Sequence, residues 1–134
     1  AGAGGAFDFA TTATFADGTY HLTATDTSAD GTQTSGQSTA ATAIVGSLAP
    51  TGLAQQGTST NGGTIEIAGT GDASGDTIKL YNGATLVGSG TAGVGGAFDI
   101  TTTATFADGT YHLTATDTSA DGTQTSTAST AATA

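Results

Sequence analysis

Acidic residues outnumber basic ones eleven to one in this chain of 134 residues, and the resulting net charge of −10 argues against nucleic acid or an anionic membrane surface as partner, since both recruit Lys and Arg to displace counterions. Cations are the natural partners of such a chain. The absence of Cys removes disulfides and thiolate metal sites. No run approaches the roughly 18 apolar residues of a membrane helix, and residues 1 to 30 lack the basic start and apolar core of a signal peptide, so any export signal is expected outside this stretch. Thr and Gly dominate the composition; Thr favours strands and Gly favours turns, so the expected class is all-β.

In chain order, Gly5 to Ala10 alternate, with Phe7 and Phe9 on one face and Asp8 on the other, which predicts a half-buried strand. A turn follows at Asp17-Gly18, after which Tyr20, Leu22 and Ala24 point one way and His21, Thr23 and Thr25 the other. A second turn spans Asp26 to Gly31, and a Thr-rich strand ends in Ile44 and Val45. This gives three strands with an apolar face that nothing earlier in the chain covers. The lone proline, Pro50, flanked by Gly46 and Gly52, marks a short domain junction.

Beyond it, a first strand is expected near residues 52 to 58. Ile65 and Ile67 then face inward with Glu66 outward, and the loop Gly71 to Asp76 leads into a strand with Ile78 and Leu80 inward. Asn82-Gly83 is a hairpin signal. After a Gly-rich bend at residues 93 to 96, Gly96 to Ser126 repeats Gly5 to Ser35 with two differences, Phe9 against Ile100 and Ala10 against Thr101. Phe7 and Phe98 lie 91 residues apart, as do Tyr20 and Tyr111, so the chain reads as a tandem repeat with that period. Residues 1–46 are the C-terminal half of one unit, and residues 47–134 are one nearly complete unit.

About seven short strands per unit, with turns every 8 to 12 residues, predict an immunoglobulin-like β-sandwich. Tyr111, just after the turn that opens the sixth strand, stands where a tyrosine corner would place its hydroxyl against nearby backbone; the plainer reading is a core aromatic.

The segments APTGL, IAGTGDASGDTIKLYNGATLVGSGTA, GAFDI and FADGTYHLTATDTSADGTQTS resemble the bacterial immunoglobulin-like tandem repeats of large secreted adhesins and surface proteins. The similarity covers Ala49 to about Thr127 and the matching half before it. The family's last-turn pattern is altered over Asp117 to Thr123, and Phe98 stands where the family has tryptophan. The resemblance implies an extracellular, cell-surface spacer that is stacked end to end, holds a binding module away from the cell, and in many members carries calcium at the joints between domains.

From the topology alone, the loop between strands two and three and the loop between strands six and seven share one end of a sandwich. Those loops carry Asp72 and Asp76, and Asp117 and Asp121. Four carboxylates at one end repel unless they are hydrated or bridged by a cation, and hard oxygen ligands suit calcium. In a head-to-tail array that end faces the turn holding Asp17. The expected metal site is therefore Asp72, Asp76, Asp117 or Asp121, with Asp17 contributed by the neighbour. The alternative is that Asp and Gly are ordinary turn residues and the charge serves solubility.

No catalytic constellation emerges. His21 and His112 recur without a second His or Cys nearby, the Gly-rich Gly88 to Gly96 leads into a strand without a Lys, and Glu66 has no carboxylate partner in an expected cleft. The leading expectation is thus a spacer repeat without enzymatic activity. The alternatives are a filament subunit whose half-repeat is completed by a neighbouring molecule, and a carbohydrate- or ice-binding module using Thr-rich faces.

Overall fold

The computed structural model describes residues 2–134, and apart from two short 3-10 turns its regular structure is β throughout. The strands are β1 (Gly18–Leu22), β2 (Ala41–Val45), β3 (Thr51–Gln55), β4 (Glu66–Thr70), β5 (Thr77–Asn82), β6 (Thr85–Thr91), β7 (Ala97–Thr101), β8 (His112–Thr118) and β9 (Ala132–Thr133). Among the described residues, no helix is long and apolar enough to cross a membrane.

Residues 51–134 form a two-sheet unit. One sheet has the order β3-β4-β7 and the other β6-β5-β8-β9, with all pairings antiparallel. The alternation read from the sequence explains the packing. Ile67 lies opposite Ile100 across β4 and β7, and Leu80 lies opposite Ala115 across β5 and β8. Ile67, Ile78, Leu80, Leu113 and Ala115 are fully buried, with Ile65, Val87, Phe98, Ile100 and Phe106 closing the core around them. Each fully buried aliphatic side chain contributes on the order of 1.5–3 kcal/mol. The two-residue turn between β5 and β6 falls at Gly83, whose φ of 62° suits the left-handed geometry a tight hairpin demands.

The N-terminal half contains fewer strands than the sequence suggests. β1 and β2 pair with each other in a separate two-stranded sheet, in which His21 faces Thr42 just as His112 faces Thr133. The strand expected over residues 5–10 does not form, although its counterpart Ala97–Thr101 is β7. The reason is pairing: β7 is hydrogen-bonded along β4, and among the described residues no equivalent of β4 accompanies residues 5–10. β1 likewise stops at Leu22, while β8 continues to Thr118 along β5. An isolated extended segment exposes its backbone without ladder bonds, so local propensity alone does not hold it as a strand.

Candidate metal centre

The loop between β4 and β5 and the turn after β8 emerge at the same end of the two-sheet unit, and the turn preceding β1 packs against that end. Strand parity directs two of the carboxylates inward. Asp76 is in phase with Ile78 and Leu80, and Asp117 is in phase with Leu113 and Ala115, because alternate residues of a strand share a face. Asp76 and Asp117 are 1% and 0% exposed. Asp17 arrives from the N-terminal half and is buried too, so that one carboxylate oxygen from each of Asp17, Asp76 and Asp117 lies within 4.8 Å of the others.

Asp117 is the best-anchored of the three. Its Oδ2 accepts the Asp72 N–H at 2.6 Å and its Oδ1 accepts the Ser47 hydroxyl at 3.1 Å, while its own N–H donates to Ser126 Oγ at 2.9 Å. Gly71 makes the first of these contacts possible, since a Cβ there would stand 2.6 Å from Asp117 Oδ2. Asp76 Oδ1 accepts the Ala120 N–H at 3.1 Å, but its Oδ2 has no hydrogen-bond partner. Both carboxylate oxygens of Asp17 are buried and unpartnered as well.

Such an arrangement is electrostatically expensive. Burial, followed by the neighbouring carboxyl of Asp117 and then that of Asp17, pushes the Asp76 carboxyl up to about 7. Buried carboxylate oxygens without donors are disfavoured unless a proton or a cation compensates them. The donor set is oxygen only, which matches a hard divalent ion such as calcium or magnesium and not a thiolate- or imidazole-seeking metal. The three orphaned oxygens fit a bound cation, and Asp17, Asp76 and Asp117 are the residues that would hold it.

Asp72 and Asp121 take other parts at the same junction. Asp72 Oδ2 accepts the Leu48 N–H at 3.2 Å, fixing the connector between the two halves. Asp121 Oδ1 is occupied by the Ser119 hydroxyl at 2.6 Å and by the Thr123 hydroxyl and N–H at 2.7 and 3.0 Å. These bonds, Ser119 foremost, hold its carboxyl well below the usual range. Its free oxygen, Oδ2, reaches across to accept the Thr19 N–H at 3.2 Å. Gly18 (φ 147°) sits so close that a Cβ there would be 2.5 Å from that oxygen.

The turn that delivers Asp17 is a tyrosine corner. The Tyr20 hydroxyl donates to the Ala16 carbonyl at 2.7 Å, and its ring meets Phe15 edge-on at 4.8 Å between centroids. The second copy repeats this, with Tyr111 to Ala107 at 2.9 Å and Phe106 at 4.8 Å. There Asp108, the counterpart of Asp17, is exposed.

The remaining candidates stand apart. His21 and His112 are exposed, each 3.4 Å from a threonine hydroxyl. Glu66 lies in the β4–β7 sheet beside Asp99, whose hydrogen bond and charge push its carboxyl up. Compared with known proteins, the chain matches no family model, no curated sequence and no solved structure.

Proposed function

We propose that this chain is a segment of a structural stalk: immunoglobulin-like repeats, placed end to end on an extracellular surface, that extend a binding module and are stiffened by calcium at their junctions. The observation that carries the reading is Asp17, a carboxylate of one half buried against Asp76 and Asp117 of the other with both oxygens unpartnered. Supporting it are the near-verbatim duplication of residues 5 to 35 at 96 to 126, the seven-strand, two-sheet arrangement, and the similarity to bacterial surface repeats. A tyrosine corner ahead of the sixth strand is a further immunoglobulin-like trait. Calcium links the two halves because its ligands come from both. Affinity of about 10⁻⁴ to 10⁻³ M suits an extracellular module.

The test is thermal unfolding of the protein in excess chelator and in millimolar calcium. The reading expects a higher melting temperature with calcium; an unchanged one sinks the metal junction.

A second reading is favoured by one contrast. Phe7 and Phe9 are 65% and 76% exposed, whereas their counterparts Phe98 and Ile100 are 6% and 4%. In a tandem array, strands earlier in the same repeat cover such a face; in a filament subunit, strands of a neighbouring molecule cover it. Light scattering with rising concentration distinguishes the two, since the filament grows into long rods and the spacer does not.

A further inference from the structure

We propose that Tyr20 is a positioning residue for the metal junction: its hydroxyl shapes the Ala16–Thr19 turn so that Asp17 enters the site ready to bind. The inference rests on the calcium reading and adds a residue that is not itself a ligand. Asp17 is held on both sides. The carbonyl of the residue before it is fixed by Tyr20 at 2.7 Å, and two residues after it the Thr19 N–H is fixed by Asp121 at 3.2 Å.

The second copy separates cause from consequence. Around Tyr111 the corner has the same hydrogen bond, the same edge-on aromatic pair, and a glycine of nearly the same φ, 157° at Gly109 against 147° at Gly18. There, however, Asp108 is exposed. The two turns thus share the corner's geometry although Asp17 is buried and Asp108 is exposed. A ligand loop set beforehand loses less freedom when the ion binds than a loose one does.

The support around the two turns also differs. In the unit of residues 51–134, the Asp108 N–H donates to Asn61 at 3.2 Å, and Phe106 exchanges backbone hydrogen bonds with Gly62 and Gly63. At Ala16–Thr19 the contacts are the tyrosine hydroxyl on Ala16, the Phe15 ring against Tyr20 and the Asp121 carboxylate on Thr19.

The duplication provides a matched pair of variants, Tyr20→Phe and Tyr111→Phe, which delete the same hydrogen bond at the turn that carries buried Asp17 and at the turn that carries exposed Asp108. Calcium is titrated into chelator-stripped full-length protein by calorimetry, and exchange of the Thr19 amide is followed by NMR. Tyr20→Phe is expected to weaken calcium binding by about threefold to tenfold, the range for loss of one neutral hydrogen bond, and to speed exchange at Thr19. Tyr111→Phe is expected to leave both unchanged. Wild-type calcium affinity and Thr19 exchange in Tyr20→Phe, or equal losses in the two variants, overturns the inference. If wild-type protein binds no calcium, the calcium reading falls. Thr19 exchange then still decides whether the corner sets the turn, with unchanged exchange in Tyr20→Phe counting against it.

Discussion

Asp117→Asn tests the junction through a reversal of sign. The three carboxylate oxygens lie within 4.8 Å of one another; at that separation and an effective dielectric constant near 20, each ionised pair costs about 3.5 kcal/mol. With the Asp76 carboxyl raised to about 7, a proton near neutral pH relieves part of the repulsion. The Asp17–Asp117 pair remains. Asparagine keeps the shape of the side chain, accepts the Asp72 N–H through its oxygen, and offers an amide donor where Asp117 offers only acceptors. In chelator the variant is therefore expected to be more stable than wild type, by about 1–3 kcal/mol once imperfect hydrogen bonding is subtracted. For a unit of this size each kcal/mol raises the melting temperature by roughly 4–8 °C. In millimolar calcium the order inverts, because a neutral amide oxygen replaces an anionic ligand and the variant gains less from the ion. Thermal unfolding followed by circular dichroism under both conditions reads the two differences directly. A variant less stable than wild type in chelator would refute the repulsion argument, and an equal shift in both conditions would refute the cation.

Three further outcomes follow from the same geometry. In chelator, stability should fall as pH rises from about 4 to 7: Asp76 titrates near 7 in the folded protein against its ordinary 3.8, so the folded state keeps a proton that the unfolded chain has released, giving a slope of up to about −1.4 kcal/mol per pH unit. Urea midpoints across this window measure it, and a flat profile counts against a raised Asp76. Gly18→Ala should melt below Gly109→Ala, since both place a Cβ at similar positive φ but only the former meets Asp121 Oδ2 at 2.5 Å; overpacking of this kind costs about 1–3 kcal/mol, and equal melting temperatures would mean that the junction does not constrain Gly18. Leu113→Ala should lose about 2–5 kcal/mol in chemical denaturation, whereas Leu22→Ala, at the matching position but 37% exposed, should lose less than about 1 kcal/mol.

The two-sheet architecture of residues 51–134 was legible because alternation is local. Ile65 and Ile67, Ile78 and Leu80, and the Asn82-Gly83 turn each declare their role within a few residues. The N-terminal half was less so: GAFDFA has the same alternation as GAFDI, yet only the latter is a strand, since strand formation depends on a partner that the alternation does not reveal. The site was legible at the level of which loops meet. Sorting its carboxylates required one more step, namely carrying strand parity outward from Ile78 to Asp76 and from Leu113 to Asp117. That parity was present in the sequence and separates the inward pair from Asp72. Asp121 carries a different signal, because a hydroxyl residue two positions to either side, Ser119 and Thr123, favours a turn closed on the aspartate's own oxygen.

Ser47 and Leu48 bear on how such a chain would behave under tension. Because each is tied to an acidic side chain of the unit that follows, through Asp117 and Asp72 respectively, the short tether has little slack to unreel. A pull on its ends is opposed at once by the sandwich it enters, so compliance must come from breaking bonds and not from straightening a coil.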